Sequence, residues 1–156
     1  MPNEEILLVE DNPDDEELTL RALRKSGITE PVIVARDGPE ALAYLFGAGA
    51  WVKRNPLQTP RVVLLDLKLP KLSGLDVLRA IRGDSRTRLV PVVVLTSSIE
   101  EHDLSEAFSL GANSYVRKPV EFDEFLEVIK ALGKYWLRVN ERPPSRANRP
   151  EGGSAA

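Results

Sequence analysis

The sequence predicts a doubly wound α/β domain, in which helices cover both faces of a five-stranded parallel sheet. Short apolar runs alternate along the chain with segments of helical periodicity, which is the pattern of βα repeats. The run over residues 62–65 contains only valine and leucine, as expected for a central strand that is buried on both faces. With 156 residues, 42% of them hydrophobic, the chain is long enough for one such domain with a substantial core.

Turn and capping residues divide the chain into elements. Helices begin at capping signals such as Asn12-Pro13 and Ser73, and they end at glycines such as Gly27 and Gly83. The last helix is expected from about residue 121 to residue 139. Strands are predicted over residues 6–9, 31–35, 62–65, 90–95 and 114–117.

Two segments fall outside this regular pattern. The connection over residues 47–60 is long for a helix-to-strand loop, so it is either a partner surface or a tolerated insertion. Residues 141–156 are rich in proline, arginine, glycine and serine and show no periodicity. We therefore expect one domain over residues 1–140, followed by a disordered tail over residues 141–156.

The composition excludes several classes of function. A net charge of -3, from 21 basic and 24 acidic residues, provides no general basic field for binding nucleic acid. The chain has no cysteine, which rules out disulfides, thiolate metal sites and cysteine nucleophiles. The first residues do not resemble a signal peptide, and no apolar run approaches the ~20 residues of a membrane span. We expect a cytoplasmic protein without membrane or nucleic-acid partners.

Polar side chains follow the strands at their carboxyl ends. Glu10 and Asp11 follow the first strand, Asp66 the third, Thr96 the fourth and Lys118 the fifth. In open α/β sheets these strand ends meet where ligands bind, so the residues are expected to lie close together. Taken singly, each has a simpler explanation as a helix cap, a turn hydroxyl or a surface charge. All of these explanations holding at once is much less plausible than a shared site.

The chemistry of this set favours phosphoryl transfer. Clustered carboxylates need a counter-charge to remain ionised, and Lys118 and a Mg²⁺ ion would supply it. A lysine and a metal ion can neutralise phosphoryl oxygens while a carboxylate, here Asp66, attacks phosphorus. The sequence therefore predicts Asp66, Thr96 and Lys118 as the catalytic residues of a magnesium-dependent site.

Over residues 4 to about 132 the sequence resembles the receiver domain of two-component response regulators. The resemblance rests on five segments in order, at residues 6–13, 35–42, 64–70 with Gly74, 91–96 and 111–119. It implies a flavodoxin-like sheet with strand order 2-1-3-4-5. It also implies a signalling module rather than an enzyme, paired with a sensor histidine kinase.

Roles for individual residues follow from the resemblance. Asp66 would accept the phosphoryl group, and Asp11 and Asp66 would bind Mg²⁺ directly. Glu10 would act on the metal ion through water, and the backbone carbonyl of Lys68 would be a further ligand. Lys68 departs from the family pattern, because this position is often neutral or acidic in receivers.

The resemblance also implies how the signal is transmitted. Thr96 and Lys118 would hold the phosphoryl group, and Thr96 and Tyr115 would reorient together as the switch. The bond between Lys118 and Pro119 is usually cis in the family, a geometry that is tolerable only before proline.

The narrower resemblance is to single-domain regulators that are paired with bacterial phytochromes. These share the long connection before the third strand and a C-terminal extension like residues 135–137.

Two alternatives to a response regulator remain open. One is a phosphatase of the haloacid-dehalogenase type, which needs a second carboxylate where this chain has Lys68. The other is a binding scaffold with a vestigial site, which the intact acidic set disfavours.

The last helix predicts a homodimer, because it carries two apolar stripes. One stripe suffices to cover the sheet and comprises Phe122, Phe125, Leu126, Ile129, Gly133 and Trp136. The second stripe lies beside it and comprises Val128, Leu132, Tyr135 and Val139. Together they span roughly 200° of the helix, about twice the width that a surface helix needs. The second stripe is therefore expected to contact another copy of the chain.

Overall fold

The computed structural model describes residues 3–144 and contains one five-stranded parallel sheet. The strand order is β2-β1-β3-β4-β5, which confirms the flavodoxin-like fold. The strands are β1 (Ile6–Val9), β2 (Val32–Ala35), β3 (Val62–Leu65), β4 (Val92–Thr96) and β5 (Ser114–Arg117). Because the order reverses between β1 and β3, the carboxyl ends of these two strands form the topological switch point.

Five helices connect the strands. They are α1 (Pro13–Lys25), α2 (Gly38–Phe46), α3 (Gly74–Gly83), α4 (Glu101–Ser109) and α5 (Phe122–Lys134). The predicted caps Asn12 and Ser73 both accept hydrogen bonds from first-turn backbone N–H groups, and Ser73 forms a capping box with Asp76. Asp37 caps α2 in the same way. The helices thus begin at fixed positions beside the strand ends.

The sheet is buried on both faces, as its apolar strands require. Alternate residues of β1 face opposite sides, so that Leu7 packs with residues of α2 and α3 while Ile6 packs on the side that α1 and α5 cover. All four residues of β3 are less than 5% exposed. The polar residue that follows them, Asp66, is therefore held at the edge of a rigid core.

The long connection over residues 47–60 packs against α2 instead of standing free. Its 3₁₀ turn, Gly49–Trp51, places the Trp51 ring edge-on against Tyr44, with 5.1 Å between ring centroids. The Arg54 guanidinium lies 4.1 Å from the centre of the same Tyr44 ring. It also donates to the backbone carbonyls of Tyr44 and Leu45. The connection is thus an integral part of the domain.

A π-helical turn, Tyr135–Val139, continues α5 to the end of the predicted helix. Its backbone closes with the Asn140 N–H donating to the Tyr135 carbonyl, five residues back. The wider turn directs both Trp136 and Leu137 into the core, where they are 9% and 5% exposed. The sequence analysis did not predict that Leu137 is buried, because it assumed the α-helical period up to residue 139.

Arg142 ties the end of the described chain to its beginning. Its guanidinium donates to the carbonyl of Asn3, the carboxylate of Glu4 and the carbonyl of Thr59. The remainder of the predicted disordered tail, residues 145–156, lies outside the described residues. Among the helices of residues 3–144, none combines the length and the apolarity that crossing a bilayer requires.

Gly74 allows α3 to begin directly beside the end of β3. A Cβ atom at this position would lie 2.2 Å from the Asp66 carbonyl oxygen and 2.6 Å from the Leu67 Cα. Gly74→Ala must therefore displace α3 or the Asp66 backbone, and we expect it to lower the free energy of unfolding by about 3 kcal/mol. The matched control is Gly83→Ala at the other end of α3, where a Cβ meets no atom within 4 Å. Urea unfolding measures both variants, and equal midpoints would contradict the expected clash.

Candidate functional site

Asp66 lies at the carboxyl end of β3 and is only 8% exposed. Its Oδ1 atom accepts hydrogen bonds from the Thr96 hydroxyl at 3.0 Å and from the Lys68 backbone N–H at 3.2 Å. Its Oδ2 atom accepts from the Lys118 ammonium at 3.0 Å. Both oxygens of the carboxylate are therefore oriented by groups from three different segments of the chain.

The Lys118 ammonium is surrounded by carboxylates. Its Nζ atom lies 2.5 Å from Glu10, 3.0 Å from Asp66 and 3.1 Å from Asp15. Burial alone would lower the pKa of Lys118, but the hydrogen bonds and negative charges of Glu10 and Asp66 raise this pKa above its ordinary value. An ammonium has three N–H donors, and each has a carboxylate partner here. The ammonium is thus a fixed positive charge beside Asp66.

Glu10 carries the most strongly perturbed carboxyl group of the site. It is 2% exposed. Burial raises the pKa of Glu10 to about 7; the hydrogen bond from Lys118 opposes this rise, and the negative charge of Asp66 adds to it. The Asn12 backbone N–H donates to the other Glu10 oxygen at 3.3 Å. Three carboxylates, those of Glu10, Asp15 and Asp66, surround the single Lys118 ammonium, and this excess of acidic groups favours binding a cation.

The donor set fits a divalent cation. Ligand oxygens of Glu10, Asp15 and Asp66 lie within 4.8 Å of one another, and such oxygens are the preferred ligands of hard cations. Asp11, expected as a direct magnesium ligand, has an exposed side chain and does not belong to this group. Asp15 was not predicted. Its position among four consecutive acidic residues in the first turn of α1 indicated only a favourable interaction with the helix dipole.

Thr96 links the site to α4 through a neighbouring serine. Thr96 is fully buried, and its hydroxyl donates to Asp66 and accepts from the Ser98 backbone N–H at 3.3 Å. The Ser98 hydroxyl donates in turn to Asp103 in the first turn of α4, at 2.5 Å. A chain of hydrogen bonds thus runs from the Asp66 carboxylate to a surface helix. Sequence reasoning gave no signal for Ser98 or Asp103.

Tyr115, the second predicted switch residue, lies on β5 with its ring centroid 6.4 Å from that of Phe108. Its buried hydroxyl has no hydrogen-bond partner among residues 3–144. Burial raises the pKa of this hydroxyl, so it remains a neutral donor. In this structure, therefore, the Tyr115 hydroxyl is not bonded to Thr96.

Two backbone groups lie near the site, the Lys68 N–H and the peptide bond between Lys118 and Pro119. The Lys68 side chain is exposed, and its backbone N–H is the group that contacts Asp66. The bond between Lys118 and Pro119 is trans, as are the other described peptide bonds, so the expectation of a cis bond is wrong. The trans form is the intrinsically preferred one before proline, by about 0.5–1 kcal/mol.

A family model for the response regulator receiver domain matches residues 6–130. The chain belongs to this family. The match spans β1 through most of α5 and therefore includes each residue predicted for the phosphoryl-transfer site and the switch, but only Val128 of the predicted dimer contact. It concerns a family of signalling proteins and gives no support to the haloacid-dehalogenase alternative.

Relatives match over nearly the full length of the chain. The probable methanogenesis regulatory protein FilR2 of Methanothrix harundinacea is 42% identical over 88% of this chain and 86% of its own length. The response regulator Rcp1 of Synechocystis is 34% identical over 91% of this chain and 95% of its own length. A crystal structure of Rcp1 in its Mn²⁺-bound form has a TM-score of 0.82 and covers 90% of this chain and 99% of that one.

Two further solved structures are similar. The phosphorylated cyanobacterial phytochrome response regulator RcpA has a TM-score of 0.84 and is 36% identical, covering 91% of this chain and 99% of that one. The bacteriophytochrome response regulator AtBRR has a TM-score of 0.72 and is 52% identical, covering 90% of this chain and 100% of that one. The chain is thus similar over almost its whole length to response regulators of phytochrome systems.

Proposed function

We propose that Asp66 accepts a phosphoryl group from the phosphohistidine of a sensor histidine kinase, and that the phosphorylated chain relays the signal by changing conformation. The observation that carries this proposal is the buried Asp66 carboxylate, held between the Thr96 hydroxyl and the Lys118 ammonium at the end of the central strand. A nucleophile, a hydroxyl donor and a fixed positive charge are thereby placed where a phosphoryl group would bind.

The transfer itself is a single displacement. One Asp66 oxygen attacks phosphorus, the bond from phosphorus to the kinase imidazole breaks, and its electron pair returns to the imidazole, which takes up a proton. Thr96 and Lys118 then donate hydrogen bonds to the phosphoryl oxygens. Glu10, Asp11, Asp66 and the Lys68 carbonyl would hold Mg²⁺, for which the Asp11 side chain must turn inward from the exposed position it has here, outside the group of Glu10, Asp15 and Asp66. The bound ion would neutralise charge on the phosphoryl oxygens.

The kinase partner is proposed to be of the bacteriophytochrome type. AtBRR, a bacteriophytochrome response regulator, is 52% identical to this chain, compared with 42% for FilR2. RcpA, a phytochrome response regulator, is 36% identical and matches with the higher TM-score of 0.84. These likenesses favour a light-sensing histidine kinase as the source of the phosphoryl group.

Phosphotransfer from a purified kinase tests this partner. A bacteriophytochrome histidine kinase, labelled on its histidine with radioactive ATP, should transfer the label to this chain within minutes in the presence of Mg²⁺. Chelation with EDTA should abolish the transfer, because the clustered carboxylates then lack their second counter-charge. A chemotaxis-type histidine kinase serves as the control donor. Equal labelling by both kinases would contradict a phytochrome-type partner while leaving Asp66 as acceptor.

A second copy of the chain is proposed as a further partner, bound through the end of α5. Tyr135 and Val139 are 48% and 58% exposed, whereas Val128 and Leu132 are half-buried. Leu132 packs against core residues, so the accessible part of the second stripe is narrower than predicted and lies toward the C-terminal end. Two-fold pairing through this patch would remove two large apolar side chains per copy from water.

A further inference from the structure

Asp15 contacts the Lys118 ammonium from a helix, whereas Glu10 and Asp66 reach it from the ends of strands. Its Oδ2 atom lies 3.1 Å from Lys118 Nζ. The Asp15 backbone is fixed on both sides, because its N–H donates to the Asn12 side chain at 3.2 Å and its carbonyl accepts from the Thr19 hydroxyl at 2.8 Å. The capped first turn of α1 thus holds this carboxylate at a defined place beside Lys118.

The three carboxylates around Lys118 have different roles in the proposed phosphoryl transfer. Asp66 acquires a bond to phosphorus, so its oxygens are no longer both available to the ammonium. Glu10 is almost fully buried and belongs to the set proposed to act on the metal ion. Asp15 forms no bond to phosphorus and is not among the metal ligands proposed above, although its carboxylate lies in the same group as those of Glu10 and Asp66; its side chain is 37% exposed to solvent. It is the carboxylate that can remain bound to Lys118 throughout the reaction.

We propose that Asp15 is a positioning residue for phosphoryl transfer, which anchors the Lys118 ammonium while Glu10 and Asp66 change partners. The ammonium donates one N–H to the Asp15 carboxylate. Its other two N–H donors then stay directed toward the position of the phosphoryl oxygens. This role rests on the proposed function of Asp66 as phosphoacceptor. It also gives α1 a part in the site, which the sequence analysis did not predict.

The chain offers a matched control in the preceding residue. Asp14 carries the same charge in the same helical turn, its N–H donates to the same Asn12 side chain, and its side chain is exposed. Asp14→Asn and Asp15→Asn therefore change net charge and the interaction with the helix dipole equally. The two variants differ in one respect: among the described ion pairs, Lys118 contacts Asp15 and not Asp14, so only Asp15→Asn changes that contact.

The test is the rate of Asp66 phosphorylation by acetyl phosphate in the full chain at saturating Mg²⁺, followed by the separation of phosphorylated protein in Phos-tag gels. Asp15→Asn is expected to slow the reaction about tenfold, and Asp14→Asn to leave it unchanged. Asp15→Glu keeps the charge and should give an intermediate rate. In a Lys118→Gln background, Asp15→Asn should have no further effect, because a residue that acts through Lys118 has nothing left to position.

Three results would overturn the proposal. A wild-type rate for Asp15→Asn would show that the anchor is not needed. The same tenfold loss in the Lys118→Gln background would show that Asp15 acts independently of Lys118. A large loss of Mg²⁺ affinity in Asp15→Asn, measured by calorimetry, would make Asp15 a metal ligand instead. Failure of the proposed function is distinguishable, because the wild type would then acquire no phosphoryl group on Asp66 under any of these conditions.

Discussion

Asp66→Asn is expected to reduce phosphoryl incorporation to background while the domain stays folded. An amide has nearly the shape of the carboxylate and can still accept the hydrogen bond that Thr96 donates at 3.0 Å. It lacks the anionic oxygen that attacks phosphorus, so no acyl phosphate can form. Lys118 keeps Glu10 and Asp15 as partners in this variant, so the ammonium is not left without a counter-charge. Radiolabel transfer from the kinase measures the loss.

The control for this variant is Asp14→Asn, which removes an equal charge from an exposed position near the site. Circular dichroism and the urea midpoint should be close to the wild-type values for both variants. Label retained by Asp66→Asn would show that another carboxylate accepts the phosphoryl group, and the site described above would then have a different function.

The second large effect concerns assembly. By light scattering at tens of micromolar, the wild type is expected to be a dimer, and the double variant Tyr135→Glu, Val139→Glu a monomer. Two carboxylates in an apolar contact would have to lose their hydration without a partner, which is strongly unfavourable. Both side chains are about half exposed, so their replacement should leave the core intact. Leu132 is left unchanged because it packs against the core as well.

Val52→Glu provides the matched control for assembly. Val52 is 70% exposed and directly follows the 3₁₀ turn that packs against α2. The Val52→Glu variant should be a dimer, as expected for the wild type. A wild type that is monomeric, whether phosphorylated or not, would contradict the proposed interface and leave the exposed apolar patch unexplained.

The strands and helices were predictable because their determinants are local in sequence. The unbroken apolar run of β3 implied burial on both faces, and Asn12 and Ser73 marked helix starts that the structure confirms. The strand order itself came from the resemblance, since local patterns do not specify which strands are neighbours. With the order known, placing Asp66 and Lys118 side by side required only that parallel strands end at the same edge.

The features that were missed depend on distances that periodicity does not give. Asp15 lies among four consecutive acidic residues, and only the position of α1 relative to β5 shows which of them reaches Lys118. The turn after α5 departs from the α-helical period, so Leu137 is buried where a constant period did not place it. The hydrogen bond from Ser98 to Asp103 likewise depends on how the loop after β4 folds back.

Locating the phosphoryl group on the chain tests the assignment of Asp66 most directly. Reduction of the phosphorylated protein with borohydride converts an aspartyl phosphate to homoserine, and mass spectrometry of tryptic peptides then identifies the modified residue. Cleavage after Arg61 and Lys68 releases a peptide over residues 62–68 in which Asp66 is the only acidic side chain, whereas Glu10, Asp11 and Asp15 fall in the peptide over residues 1–21. We predict homoserine in the peptide over residues 62–68. Homoserine in the peptide over residues 1–21, with an unmodified Asp66, would contradict the proposed phosphoacceptor.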